Sequence, residues 1–556
     1  SHVKGLSARA PQYNQDGTLV VVTKPSLKEE AYFGDSYSLE LNAAYTQTFA
    51  EKHTIDAKAV FTVSENNGSY FWASRKDYLS ATVDQLFAGS SIGMQNSGNS
   101  DEGGRMGLVG RLKYDFDSRY YIEGSFRYDG SDNFAPGHRW GFFPSVALAW
   151  DITEEPFFKN LNLKNVNLLK LRGSYGQTGT ESGVNRFGYL STYSLAENAI
   201  CIGGNLQSGF NEGALVSPEL LSWYTRNSLN YGIDVAFFNH RLKGSADYFF
   251  YVTKGGLVSP ADRYVVPLGT ALPQIKSENE HRREGFEASL RWDDKIGSDF
   301  YYEVGTNMTY YNNLYVKNQG EALSDLKNPY KRSTHQTDYY GIMYMDNGLY
   351  QTPEQVLGVP RRLQSSATKL GDIAYEDING DGKIDGEDQV RWGMPSAPHF
   401  TYGFDFVLGY KGFTLSGLLY GTGKRNMEFG VTTKKNEAIW VLNDYQLDYW
   451  REDNRDATFP RISLEALPNG SNNQAASTFW VKNASFLRLK NLTLEYDFKY
   501  KLLRNVKWLS TCRANITGAN LFTISNVMDY FDPETTSTNG GYPVQRVYSL
   551  GVTIGF

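Results

Sequence analysis

The residues best placed to do chemistry in this 556-residue chain lie in one stretch of twelve, Asp377-Ile378-Asn379-Gly380-Asp381-Gly382-Lys383-Ile384-Asp385-Gly386-Glu387-Asp388. Side-chain oxygens at the first, third, fifth, ninth and twelfth positions, a glycine at the sixth and a backbone carbonyl at the seventh follow the spacing of a calcium-binding loop. Asp377, Asn379, Asp381, Asp385, Asp388 and the Lys383 carbonyl are therefore the expected ligands of a hard divalent cation. Ile384, at the eighth position, is the apolar residue such a loop turns inward. The twelfth residue is Asp rather than Glu; its shorter reach lowers the expected calcium affinity and admits magnesium as well. An Asx-rich turn without an ion is the competing reading. The metal is favoured over it because carboxylates this dense repel one another unless a cation sits among them. Its role would be structural, bracing a long loop.

No catalytic constellation accompanies that loop. The seven histidines, His138, His240, His281, His335 and His399 among them, show no HExxH or other metal-ligand spacing, and neither a Gly-x-Ser-x-Gly elbow nor a phosphate-binding loop occurs. Carboxylate pairs such as Asp453 and Asp456 carry little weight in a chain with 61 acidic residues, since most of these are solvated. Cys201 and Cys512 supply neither a disulfide framework nor a thiolate metal site. Two aromatic clusters, Tyr339-Tyr340 with Tyr344 and Tyr350, and Tyr445 with Tyr449-Trp450, have the chemistry to stack on sugar rings or peptide side chains, although packing the loops together is the commoner use of such residues. Apolar residues at helical spacing between Lys434 and Trp450 predict a short loop helix there, suited to docking a lid. The chain is expected not to be an enzyme.

What must carry these loops is a set of strands. Met106, Leu108, Gly110, Leu112, Tyr114 and Phe116 alternate with Arg105, Gly107, Val109, Arg111, Lys113 and Asp115. That is the period of two that gives a strand one apolar and one wetted face. After Asp117-Ser118 the alternation resumes from Tyr120 to Asp129, which predicts a long hairpin. Similar segments recur at Ser36–Phe49, His53–Ser64, Gly141–Trp150, Leu168–Gln177, Asn227–Phe237, Arg241–Val252, Gly285–Trp292, Phe300–Tyr311, Phe400–Tyr410, Phe413–Tyr420, Phe486–Phe498, Arg513–Phe522 and Arg546–Phe556. With weaker candidates near Ala73 and Gly341, about 16 strands are expected. Short joins such as Asn239-His240 and Lys411-Gly412 alternate with long excursions near 180–221, 254–281, 313–398, 423–480 and 526–545. Short turns on one rim and long loops on the other, joined by strands of about 10 residues, describe an antiparallel transmembrane β-barrel of an outer membrane.

Composition agrees with that reading. Tyr 39, Phe 32 and Trp 10 make the chain 15% aromatic while only 40% is hydrophobic. A barrel needs aromatic girdles at its two interfaces, and a wet lumen keeps half of every strand polar. No run of about 18 apolar residues occurs, so helical spans are excluded. A net charge of -6 with scattered Lys and Arg leaves no basic field for nucleic acid. The final strand alternates Tyr548, Leu550, Val552, Ile554 and Phe556 with small polar residues and stops on the aromatic, a form similar to the signal read by outer-membrane assembly machinery.

Five ordered stretches carry a resemblance. They are Phe134-Ala135-Pro136-Gly137-His138-Arg139-Trp140-Gly141-Phe142-Phe143-Pro144-Ser145-Val146, then Leu169-Lys170-Leu171-Arg172-Gly173-Ser174-Tyr175-Gly176-Gln177-Thr178-Gly179, Gly371-Asp372-Ile373 leading into Asp377–Asp385, Phe486-Leu487-Arg488-Leu489-Lys490-Asn491-Leu492-Thr493-Leu494, and Gly518-Ala519-Asn520-Leu521-Phe522-Thr523. In this order they resemble the SusC/RagA family of TonB-dependent transporters of Bacteroidota, from about Ser36 to Phe556. The resemblance implies a 22-stranded barrel with an N-terminal plug in the outer membrane. It further implies import of oligosaccharides or peptides under a SusD-like surface lipoprotein, with energy from TonB-ExbB-ExbD acting through the plug. Signal peptide, TonB box and plug are absent from this chain, and about 16 strands are too few for that class. Residues 1–35 are therefore expected to lead into the barrel and 36–556 to form its larger part, completed by an N-terminal portion of the same transporter. A passive porin-like or adhesin barrel is the alternative. A secreted carbohydrate enzyme of propeller type would need a repeat of about 40 to 50 residues, which the sequence lacks.

Overall fold

Alternation along the sequence demands extended backbone, and the computed structural model carries it into one antiparallel sheet. It describes residues 2–7, 12–13, 19–21, 24–79, 82–213, 218–258, 275–358, 361–362, 368–428, 447–462, 472–527, 531–534 and 544–556, with backbone alone for 2–7, 12–13, 19–21, 197–199, 220 and 361–362. The strands of the wall are β1 (His2–Ser7), β2 (Ser26–Phe49), β3 (His53–Arg75), β4 (Gln95–Phe116), β5 (Tyr120–Ser131), β6 (Trp140–Asp151), β7 (Val166–Thr180) and β8 (Tyr224–Phe237). They continue with β9 (Leu242–Lys254), β10 (Glu280–Ile296), β11 (Phe300–Lys317), β12 (Phe400–Tyr410), β13 (Phe413–Gly423), β14 (Phe486–Asp497), β15 (Thr511–Ser525) and β16 (Val547–Gly555). Each pairs antiparallel with the next in sequence, from β1 through β16. Among the described residues no helix is long and apolar enough to cross a membrane; the crossing elements are strands.

Most of the turns that join these strands at one rim are tight, the longer joins 152–165 and 498–510 excepted. Asp117 and Ser118 both take positive φ, and the Arg119 amide donates to the Phe116 carbonyl at 2.9 Å. This is the primed turn whose twist matches a hairpin. At the Tyr410/Phe413 hairpin Lys411 and Gly412 take φ of 48° and 85°, and glycine removes the side-chain penalty at the second position. The other rim carries the long segments 181–223, 255–279, 318–399, 424–485 and 526–546, the asymmetry that the sequence predicts.

Every expected wall segment lies inside one of β2–β16 or overruns it by one residue at an end, with two revisions. The segment near Ala73 is the upper half of β3, and Gly341–Tyr344 pairs with Gln389–Trp392 inside a loop rather than joining the wall. Strands β2, β3 and β4 run to 24, 23 and 22 residues, about twice what a tilted membrane strand needs. Parts of their outer halves, such as Asn66-Asn67-Gly68 against Asp101-Glu102-Gly103, are polar on both faces. In water neither face must be apolar, so alternation fades and the pattern ends near Ser64 although the strand does not.

Register keeps one face apolar across the whole sheet. Leu108 opposes Phe61 and Tyr128, and Tyr128 opposes Phe142; further on, Tyr231, Tyr248, Phe286 and Tyr310 oppose one another in turn, as do Leu494, Ile516 and Leu550. Leu41, Leu112 and Leu148 are 57%, 55% and 56% exposed, a surface that only a lipid or another protein can cover. At β14 the phase resets. Lys490 has no partner in the ladder to β13 or to β15, so Leu492 and Leu494 below it and Leu489 above it all meet the apolar face of β13 at Gly417, Leu415 and Leu419. This is a β-bulge. Asn520 on β15, at φ 55°, lies at the same level, so two of the five ordered stretches mark adjacent irregularities of the wall.

The reset turns Arg488 and Lys490 to the opposite face, where Arg488 is almost fully buried. It donates to Asp532 at 2.7 Å, to Glu534 at 2.6 Å and to the Thr523 hydroxyl at 2.9 Å, while Lys490 reaches Glu534 at 3.3 Å. Above it the long loops share a core of Tyr344, Ile373, Tyr375, Ile384, Met427, Phe459, Trp480, Ala484 and Val527. Ile384 is therefore turned inward, as its position in the dodecamer predicts.

Two outcomes are expected. In outer membranes Lys113→Cys reacts with a water-soluble maleimide and Leu112→Cys does not; equal labelling would refute the assignment of faces. Arg488→Leu strands two acids and costs about 3–5 kcal/mol, whereas removing the half-exposed Arg513 beside Glu495 costs about 0–1 kcal/mol. Hydrogen exchange of β14 and of 531–534 reads the difference, and equal loss of protection in the two variants contradicts it.

Candidate functional site

The face opposite the apolar one is charged, and three of its arginines are matched by acids on neighbouring strands. Arg111 lies 3.0 Å from Glu123 and 3.8 Å from Asp56. Arg172 donates to both oxygens of Asp234 and of Asp247, at 2.7 to 3.0 Å. Arg291 bridges Glu303 at 3.2 Å and Asp405 at 3.0 Å. Such fixed pairs hold side chains against a water-filled space without leaving a reactive group. Sequence reasoning quoted Arg172 within a motif but gave it no role; the missing signal was pairing, since Arg172, Asp234 and Asp247 meet only once β7, β8 and β9 are aligned.

Near the long-loop rim β6 and β7 part company. Their ladder ends at Ser145 and Gly176, so Pro144, which has no amide hydrogen, sits where no bond to β7 is required. Phe134 and Phe143 pack on Trp223, whose indole donates to the Arg139 carbonyl at 2.9 Å. The Phe143 ring lies so close over Gly141 and Gly179 that a Cβ on either would collide with it. The first two of the five ordered stretches are thus halves of one contact. Beside it opens a cavity of about 810 Å³, lined by Arg105, Arg127, Asp129, Asn133, Glu181 and Trp223. Glu181, mostly buried, pairs with Arg105 and accepts from the Asn133 amide at 3.1 Å. The cavity is polar with one aromatic wall, a lining suited to hydrogen-bonding ligands.

Gly371-Asp372-Ile373 is also an architectural unit. Gly371 takes φ 79° and lies directly under the Trp450 ring, where a side chain has no room. Asp372, nearly fully buried, is held by Arg461 at 2.7 Å and by the Asn473 amide at 3.0 Å. Tyr344, Tyr350 and Trp450 are each 7% exposed, and Tyr339 stacks under the Arg391 guanidinium at 3.7 Å. These aromatics hold loops together, as the commoner use of such clusters has it. The expected helix over Lys434–Trp450, and Tyr445 with it, fall mainly outside the described residues.

The dodecamer folds as a wound turn. Asp377 accepts from the amides of Gly380, Asp381 and Gly382 at 2.7 to 3.2 Å, Asn379 from that of Asp381, Asp381 from that of Lys383, and Asp385 from that of Glu387. Asp388 is fully buried and accepts from Ile378, Asn379 and Asp385. Gly380 and Gly382 take φ of 73° and 82°, which only glycine does freely. Among the described residues no three His, Cys, Asp or Glu side chains converge closely enough to hold an ion.

Comparison with known proteins follows the same lines. The family model described as TonB dependent receptor-like, beta-barrel matches residues 5–521. TonB-dependent receptor P3 of Formosa agariphila is 26% identical over 88% of this chain and 49% of its own length. TonB-dependent receptor SusC of Bacteroides thetaiotaomicron is 28% identical over 80% of this chain and 43% of its own. The solved structure of the RagAB peptide importer in its open-open state superposes with a TM-score of 0.78 at 22% identity, covering 100% of this chain and 58% of that one. The chain spans about half the length of the curated relatives it matches. On its ladder, its two-faced register and a family match over nearly its whole length, the chain belongs to the TonB-dependent receptor-like β-barrel family, a non-enzymatic class of the outer membrane, as its resemblance to the SusC/RagA members implied.

Proposed function

We propose that this chain is the larger part of the barrel of a SusC/RagA-type importer, which brings oligosaccharides or peptides through the outer membrane. The observation that carries the reading is the wall itself: apolar outside, ion-paired inside, and crowned by loops folded around their own core. Among the described residues β16 pairs only with β15, and Tyr32–Phe49 of β2 only with β3. Backbone groups left bare in hydrocarbon cost several kcal/mol each, so those two edges require further strands. The relatives' greater length supports an N-terminal portion that supplies them together with a plug, through which TonB-ExbB-ExbD would act. The shared fold with a peptide importer and the likeness to SusC support a SusD-like surface lipoprotein over the loops. In cells carrying the full transporter, uptake of an oligosaccharide or oligopeptide by this barrel should stop on addition of a protonophore. Uptake that continues undiminished would instead establish a passive porin-like pore.

We further propose that 377–388 takes up calcium, or magnesium less tightly, through Asp377, Asn379, Asp381, Asp385, Asp388 and the Lys383 carbonyl. The ligand spacing, the two left-handed glycines and the exposure of Asn379 and Asp381 support this. Calcium should slow hydrogen exchange across 371–392 in the full-length protein, chelation should reverse it, and Asp377→Asn with Asp381→Asn should abolish the effect. Identical exchange with calcium and with chelator would refute the site.

A further inference from the structure

At the long-loop ends of β8 to β11 the register lines up a second, differently charged patch of the inner wall. Arg226 on β8 lies across from Thr253, Tyr251 on β9 across from Arg283 on β10, and Arg283 across from Asn313 on β11. Tyr251 and Asp247 are an even number of residues apart, as are Arg226 and Asp234, so the patch shares the face of the Arg172 cluster. A pocket of about 270 Å³ opens there, lined also by His281, Asp338, Tyr315 and Arg282, the last paired with Glu284 at 3.5 Å.

The patch differs from the other arginine clusters of the wall in its balance of charge; its nearest counterpart is Tyr121, which carries Lys113 and Lys170, but lysines lack the planar fork of a guanidinium. Arg111, Arg172, Arg291 and Arg513 each face a carboxylate. Arg226 and Arg283 have none among the described residues. Their guanidiniums lie 4.6 and 5.7 Å from the centroid of the same Tyr251 ring, Arg283 lies 4.4 Å from Tyr311 as well, and Arg283 also bonds to the Asn313 side chain. The aromatic faces supply only partial negative charge. Asp338, the acid of the pocket, is already engaged: the Asn313 amide donates to it at 2.7 Å, and the buried His399 sits 3.0 Å away. Two like charges around one ring repel, and an anion placed between them removes that repulsion and gains charge-assisted hydrogen bonds to both. Planar guanidiniums match a carboxylate or sulfate in the bidentate manner that a lysine does not.

We propose that Arg226, Tyr251 and Arg283 form an anion-binding subsite on the inner wall, which receives a carboxylate or sulfate group of the transported ligand as it enters from the loop rim. The subsite rests on the importer reading and narrows it to ligands that carry at least one anionic group. The chemistry is common to a peptide carboxylate and to an acidic sugar, and matched probes separate the two.

The test measures equilibrium binding to the purified full-length transporter of four labelled probes: an oligopeptide with a free and with an amidated C-terminus, and an oligogalacturonate with free and with methyl-esterified carboxyls. In the wild type, the anionic member of one pair should bind at least about tenfold more tightly than its neutral partner, and the pair that shows the preference identifies the source of the anion. Arg226→Gln with Arg283→Gln should abolish the preference while leaving the neutral probe unchanged. Arg226→Lys with Arg283→Lys should retain part of it. Arg111→Gln, which removes a neutralised charge from the same wall, should leave it intact. A wild type without preference in either pair, or a preference that survives the double Gln variant, overturns the subsite. Protonophore-sensitive uptake by cells, scored separately on the neutral probes, stands or falls with the importer reading alone.

Discussion

Backbone amides and carbonyls cannot go unpaired in hydrocarbon, and the rest of this structure depends on that requirement. A helix meets it within one segment; a sheet meets it only by pairing each strand with its neighbour along the full height of the membrane. Fifteen successive ladders run from β1 to β16 for this reason, and the tight primed turns exist to hand each strand to the next without a break in the sequence of bonds. Side chains then have two destinations only. Those on one face must be tolerable to lipid, which selects Leu, Tyr, Phe and Val there. Those on the other face can be ionised provided that they are answered, as Arg172 is by Asp234 and Asp247.

Beyond the membrane the requirement lapses, and a different kind of stabilisation takes over. The loops build a core of their own around Ile373, Trp480 and Met427, and they anchor buried charge: Asp372 on Arg461, and Arg488 on Asp532 and Glu534. Such pairs contribute geometry more than net stability, because the cost of removing charges from water offsets much of their attraction. Their value here is positional. Arg488 ties the segment at 531–534 to the wall at the level where the bulge at Lys490 changes the facing of β14.

Much of this was legible in the sequence because period two is a local signal. The faces of β4 and β5 could be written down from Arg105 to Asp129 without knowledge of any partner. Among the described residues the count of about 16 wall strands holds, although one of them, β1, was not singled out, and the strand near Gly341 belongs to a loop. Apart from the segment near Ala73, the outer halves of β2 to β4 were lost where polar residues on both faces, as at Asn66-Asn67-Gly68, erase the alternation. The inner-wall clusters were lost for another reason: Arg226, Tyr251 and Arg283 belong to three strands, and their meeting depends on register, which no single segment encodes. Aromatic clusters such as Tyr344 and Tyr350 were visible as residues, but whether they face a ligand or one another is decided by tertiary packing. In the dodecamer at 377–388 the oxygen spacing of a cation loop was legible; its amide-wrapped form accords with its two glycines, and uptake of an ion is a proposal.

The unbroken ladder also shapes how such a chain can evolve. Because facing repeats every two residues, inserting one residue into Arg105–Phe116 would send everything beyond it to the wrong side, with Arg111 turned towards lipid and Leu112 towards water. Length changes in the wall are therefore accepted in pairs, or singly where a bulge of the kind at Lys490 absorbs the odd residue at a fixed height. Segments such as 181–223 and 318–399 obey no such parity and can lengthen or shorten by any number. Descent within this architecture should thus leave gaps concentrated at one rim, so that a lineage acquires new ligands by rewriting its loops while the staves between them keep count.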